Sequence, residues 1–463
     1  PGHLPGQYAG PRRQRMGREI SMPCTRNHTP SNGPDPRIPP GGGTEGLRRR
    51  IVMPLAGPLG DTDHVLGHEL VHAFQFDISS RTSTLGGSGV PTALMLPLWF
   101  VEGMAEYLTI GAADPHTAMW MRDAVLQGEL PAVSELDDPE YFPYRWGQAF
   151  WSYVAGRYGD RVIGEVLKAA VSDGNAEGAI AAVLGIGLDE LGRDWHAALE
   201  SACRPVLQAT VPLDPARELI GKKRGGAINV SPSLSPDGAW VAFFSEKNLF
   251  SIDLFLADAR TGEIRRTLTR TVLDPHFDSL QFVNAAGAWS PDGREFAFGS
   301  VRSGRPEISI YNLAADKVTR RHPLADVSDM FSLSWAPDGG SIVFSGMAGG
   351  TTDLFVLDLG RGTTRRLTDD AYSALHPAWS PDGRSIVFST DRFSSDLSRL
   401  SFGDLRLGLI DVATGEIRPV EAFSSGKHLG AQWSADGGEL FFVSDRDGIP
   451  NVNRLNLQSG AIR

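Results

Sequence analysis

The chemistry in this sequence concentrates in His68-Glu69-Leu70-Val71-His72. On an α-helix, residues four apart lie about 40° from one another around the axis, so the two imidazoles leave one face and converge on one point. That arrangement suits a tetrahedral Zn2+, and Glu69, on the adjoining face, is positioned to take a proton from water. A second cluster begins at Trp99: Trp99-Phe100-Val101-Glu102-Gly103-Met104-Ala105-Glu106-Tyr107, in which Glu102 and Glu106 again share a helical face. Two His and one Glu leave a fourth position open to water, which hydrolysis requires and a closed structural site lacks.

These groups need helices to hold them. Thr62–Phe76 reads as a helix capped by Asp61 or Thr62, with Val65, Leu66, Leu70, Val71 and Phe74 recurring near the 3.6 period as its apolar stripe. Leu98–Ile110, His116–Gln127, Tyr144–Tyr158, Arg161–Val171, Ala176–Leu184 and Leu188–Leu207 follow as further helices, so residues 44–213 form a mainly α domain. Arg48–Leu55 reads as a short strand, a candidate edge for an extended peptide. Residues 1–43 hold nine Pro and eight Gly and almost no apolar periodicity, the composition of a disordered leader.

Beyond Pro212 the period switches to two and a repeat appears, giving a second domain over 214–463. Its units are LSPDGAWVAFFS from Leu234, WSPDGREFAFGS from Trp289, WAPDGGSIVFSG from Trp335, WSPDGRSIVFST from Trp379 and WSADGGELFFVS from Trp433. Each is a Pro-Asp-Gly-type turn followed by an alternating strand, and further strand-like stretches complete five four-strand units. The Trp before each turn is expected to pack one unit on the next. The Trp-Ser-Pro-Asp-Gly units resemble the TolB-like, WD-like β-propeller repeat. That resemblance implies about five blades of an incomplete propeller that binds a protein partner or restricts substrate access, and an exported, periplasmic or extracellular setting. The chain opens on Pro1 with no charged-then-apolar leader, so an export signal is expected to lie outside it.

The HExxH helix followed by Trp-Phe-Val-Glu-Gly-Met-Ala-Glu resembles the gluzincin metallopeptidases, the peptidase MA-like group that contains thermolysin and aminopeptidase N. The resemblance implies a zincin-like α domain and a zinc-dependent peptidase acting on a peptide or protein substrate. It makes His68, His72 and Glu102 the ligands of Zn2+ and Glu69 the base. Glu106, one turn on, would then accept a hydrogen bond from a ligand imidazole. The reverse assignment, with Glu106 as ligand and Glu102 in support, stays open because both face the same way. His64, one turn before His68, is expected to start or pack the helix and not to bind metal. The resemblance also calls for a donor to the tetrahedral oxyanion from later in the domain: Tyr144 is the first choice, with Arg145 and His196 as others. Two gluzincin features are missing, the sheet upstream of the helix and the Gly-Ala-Met-Glu-Asn signature of aminopeptidases.

Other classes fall away. No third His follows His72 at metzincin spacing, and no Ser has Gly both two positions before and two positions after it, as the Gly-x-Ser-x-Gly elbow of a serine hydrolase needs. With 44 basic against 55 acidic residues the net charge is −11, which argues against nucleic acid as a partner. No stretch approaches the ~18 apolar residues of a membrane span, and two cysteines, Cys24 and Cys203, provide neither a disulfide framework nor a zinc module. A reading from a different class remains: a non-catalytic scaffold whose propeller binds a protein and whose metal is structural.

Overall fold

The computed structural model describes residues 43–45, 50–53, 57–82, 91–209, 218–226, 228–248, 252–269, 279–280 and 287–463. The expected leader therefore lies outside the described residues except for Gly43, which instead opens a strand. The chain divides into two compact units, one of residues 1–54 and 64–207, the other of residues 55–63 and 208–463.

The first unit is helical. A short antiparallel pair, β1 (Gly43–Glu45) with β2 (Arg50–Val52), precedes seven α-helices among the described residues. These are α1 (Leu59–Thr82), α2 (Leu98–Ile110), α3 (Pro115–Gln127), α4 (Pro143–Tyr158), α5 (Arg161–Asp173), α6 (Ala176–Leu184) and α7 (Leu188–Ala209). Local chemistry sets several of the ends. Asp114 accepts from Thr117 N at 2.7 Å with Pro115 in the first turn of α3, and Gly128 closes that helix at φ 72°. Asn175 accepts from Gly178 N at 2.9 Å to start α6.

Helix α1 differs from expectation in its start and its inner face. It begins at Leu59, where the Pro58 carbonyl accepts from Asp61 N (3.0 Å) and Thr62 N (3.2 Å), so the residues expected as caps sit inside the first turn. Its stripe of aliphatic and aromatic residues is not its inner face: Leu70 is 40% and Phe74 52% exposed. The buried row is polar instead, His68, His72, Gln75 and Ser79 with Glu69 beside it. Burying such groups is tolerable only if each finds a partner. Gln75 Nε2 donates to Val101 O at 3.0 Å, and Ser79 Oγ accepts from Ala93 N at 2.9 Å.

The core of this unit is aromatic. Trp99, Phe100, Phe150, Trp151 and Trp195 interlock edge to face, and Trp151 Nε1 donates to Phe100 O at 3.0 Å. Helices α2 and α4 cross backbone to backbone at a glycine pair. A Cβ on Gly103 would lie 2.2 Å from Gly147 Cα, and one on Gly147 would lie 2.1 Å from Trp99 O. Gly67 plays a similar part on α1, where a Cβ would meet Thr109 Cγ2 at 2.8 Å.

The second unit is a series of antiparallel blades. The first runs Asn229–Leu234, Trp240–Ser245, Asp253–Asp258 and Ile264–Thr267, and the third and fourth repeat that four-strand order. The second splits its first strand into Ser279–Leu280 and Ala288–Trp289, both paired with Glu295–Arg302. The fifth departs from the expected four: His428–Trp433, Glu439–Ser444 and Asn451–Asn456 form three strands, and the fourth place is taken by a single bridge from Leu455 to Ile462.

The repeat's residues explain its geometry. In four units the serine hydroxyl donates to the turn Asp (2.5–2.6 Å) and accepts the backbone N–H five residues on at 2.9 Å. The closing glycines take the left-handed conformation, as at Gly238 (φ 70°) and Gly339 (φ 75°). Two of the turn tryptophans tie blades together: Trp289 Nε1 donates to Ser233 O at 3.0 Å and Trp433 Nε1 to Ala378 O at 3.1 Å, each on the blade before. Trp335 instead donates within its own turn, to Gly339 O.

Candidate metal centre

Three donor atoms from α1 and α2 meet at one point of the helical unit. His68 Nε2, His72 Nε2 and Glu102 Oε2 form a triangle in which every edge is 3.0 Å. Donors bonded at about 2.0–2.2 Å to one tetrahedral ion stand about 3.3–3.6 Å apart, so the triangle is within a few tenths of an ångström of a zinc site. Hydrogen bonding alone does not satisfy it, because each Nε2 carries either one hydrogen or one lone pair, and the His68–His72 edge needs an accepting nitrogen that would then face the ionised Glu102 oxygen without a proton between them. The donor set fits a divalent cation.

Each imidazole is held from behind. His72 Nδ1 donates to Gln75 Oε1 at 2.8 Å, and Gln75 is itself anchored on Val101 O. His68 Nδ1 lies 3.0 Å from Glu106 Oε1. Both contacts favour the tautomer with the proton on Nδ1 and the lone pair on Nε2, facing Glu102. Glu106 thus lies on the Nδ1 side of His68, away from the Nε2 atoms that face Glu102. Gln75 was missed, although its position three residues after His72 on the same helix was the available signal.

The neighbours of Glu106 separate it from Glu102. His64 Nε2 lies 3.1 Å from Glu106 Oε1, and Arg145 Nη1 lies 3.5 Å from Glu106 Oε2 and 3.1 Å from Asp114 Oδ1. His64, His68 and Glu106 form a second group with metal-ligand spacing. The Arg145 guanidinium, only 15% exposed, already supplies that group with a positive charge, which disfavours a second cation there. His64 is thus a partner of Glu106 and not simply a packing residue.

The electrostatics follow from these contacts. Burial works to lower the pKa of His68, but hydrogen bonds and charge from Glu102 and Glu106 outweigh it and lift the imidazole to about 9. Burial likewise works to raise Glu102, yet His68 and His72 pull it down to about 2, and His64 and His68 do the same to Glu106. The cluster is built to hold positive charge, for which a proton and a metal ion compete.

Two further groups border the triangle. Glu69 is 5% exposed, and Thr44 Oγ1, on β1, donates to its Oε2 at 2.6 Å while lying 2.9 Å from its carbonyl. Of the stretch Arg48–Leu55 expected as a strand, residues 48, 49, 54 and 55 lie outside the described residues and Arg50–Val52 is strand; its partner β1 touches the HExxH helix. Thr44 carried no sequence signal, because the contact spans 25 residues. Tyr144, in the first turn of α4, stacks on His68 with ring centroids 5.6 Å apart. Burial and the Glu102 carboxylate push its phenol well above the ordinary range, so it stays protonated and able to donate. The other two oxyanion candidates are engaged elsewhere, Arg145 with the two carboxylates and His196 Nε2 with Pro131 O at 2.9 Å.

The comparisons with known proteins bear on the other unit. Residues 278–396 match the family described as the TolB beta propeller domain. The C-terminal unit is a TolB-like β-propeller of five blades. The Tol-Pal system protein TolB of Anaeromyxobacter dehalogenans (strain 2CP-C) is 43% identical over 83 residues, 18% of this chain and 18% of that protein. An uncharacterized protein of Agrobacterium fabrum (strain C58) is 26% identical over 233 residues, 50% of this chain and 74% of its own. The crystal structure of TolB from Acinetobacter baumannii covers 59% of each chain at 19% identity and a TM-score of 0.37. The chain thus spans about a fifth of the length of the first of these relatives. The blade repeat and its TolB likeness were legible in the sequence.

Proposed function

We propose that this chain is a zinc-dependent peptidase whose propeller binds a protein. The observation that carries the reading is the equal-edged triangle of His68 Nε2, His72 Nε2 and Glu102 Oε2. When bound there, Zn2+ would acidify a water and polarise a peptide carbonyl. Glu69 takes the proton from the attacking water, and the Thr44 hydroxyl holds the carboxylate that does so. Gln75 and Glu106 keep both imidazoles in register, and the Tyr144 hydroxyl donates to the oxygen on which negative charge develops. The setting we propose is exported, in line with the TolB-like repeat.

A second reading is favoured by the comparisons, which fall on the propeller and support binding: a scaffold in which the metal only stabilises the helical unit. One experiment separates the two. Glu69→Gln should retain zinc and lose hydrolysis of a quenched peptide by about 10²–10⁴-fold, since it removes the base and spares the ligands. Parent protein that binds zinc, unfolds when it is chelated and cleaves no peptide would establish the scaffold instead.

A further inference from the structure

Between α3 and the start of α4 the helical unit carries a groove of about 720 Å³. Its floor is aromatic: Trp120, Tyr141 and Trp146, with Tyr141 set edge-on to Trp146 at 5.5 Å. Its rim is acidic: Asp123, Glu129, Glu135 and Glu140. Glu135 Oε2 accepts from Ala132 N at 2.8 Å, but among the described residues none of the four pairs with a basic side chain. Four like charges around one groove repel one another unless a cation is supplied from outside. Their field is felt at Tyr141, whose phenol is pushed up by burial and then by Glu140, Glu135, Asp138 and Glu129.

We infer that this groove binds the lysine or arginine side chain of a peptide, its alkyl stem lying on the rings and its charged head among the carboxylates. A bare metal ion would use the rim and leave the rings idle, whereas a long organic cation uses both. The groove is also linked to the candidate metal centre by a row of rings. Trp120 lies 5.8 Å from Phe142, Phe142 lies 5.1 Å from Tyr144, and Tyr144 stacks on His68 at 5.6 Å. About five extended residues cover those three steps. As the specificity site of the proposed peptidase, the groove would select substrates with a basic residue a few positions from the scissile bond, and that role rests on the peptidase reading.

The test is fluorescence anisotropy on the full chain carrying Glu69→Gln, with a fluorescein-labelled peptide that contains one lysine and with its norleucine and glutamate counterparts. The lysine peptide should bind at least about tenfold more tightly than the norleucine peptide and the glutamate peptide weakest of all. Glu129→Gln combined with Glu140→Gln should remove that preference, and as these are exposed changes they leave the fold intact. Equal binding of the lysine and norleucine peptides, or a preference that survives the double change, overturns the inference. The two readings fail separately. Lysine-selective binding by a parent protein that cleaves nothing would sink the peptidase and keep the groove, while cleavage indifferent to basic residues would do the opposite.

Discussion

Replacing Gly103 by alanine tests how the helical unit holds its carboxylates. The added Cβ would sit 2.2 Å from Gly147 Cα, 2.3 Å from Gly147 C and 2.8 Å from Gln148 N. Carbon atoms in contact stay about 3.5 Å apart or more, so α2 and α4 must separate by about 1.3 Å, and the obstructing atoms are backbone that no rotamer change can move. Overpacking of this kind costs about 3 kcal/mol at the upper end of its usual range, and alanine's better helix propensity returns about 1, leaving a net loss of about 2 kcal/mol. For a unit of this size that lowers the melting temperature by about 4–8 °C. Calorimetry of the full chain reads the shift. Gly156→Ala on the facing helix, α4, is the control: nothing lies within 4 Å of its Cβ, so the same substitution should stabilise by about 0.5–1 kcal/mol. If Gly103→Ala melts within a degree of the parent protein, the crossing is not as tight as argued and the reasoning is wrong.

Further expectations concern the site. Gln75→Leu removes the acceptor behind His72 Nδ1 and should weaken zinc binding about 10–100-fold in a competition titration with a chelating dye. Glu102→Gln should lose more zinc affinity than Glu106→Gln; the reverse order would move the ligand role to Glu106. Tyr144→Phe should keep zinc and lower peptide hydrolysis by about 10²–10³-fold through kcat, and an unchanged kcat would remove Tyr144 from the reaction.

Much of this was legible because it is local. The i, i+4 spacing of His68 and His72, the shared face of Glu102 and Glu106, and the Trp-Ser-Pro-Asp-Gly turn are patterns within one turn or one hairpin, and helix or strand geometry alone converts them into direction. Helix existence followed for the same reason, and α2 and α6 end where their periodicity ends.

What depended on long-range packing was not legible. The inner face of α1 turned out polar because α2 supplies partners for His68 and Gln75, and no periodicity can foresee partners some 30 residues away. Glu102 and Glu106 are equivalent by spacing, and only the packing of α2 against its neighbours shows that Glu102 faces both Nε2 atoms while Glu106 meets Arg145. Thr44 on Glu69 and the ring row from Trp120 to His68 exist only once helices and strand pair have closed together. A sequence fixes the direction of a side chain relative to its own element, whereas its environment is set by whichever elements fold against it.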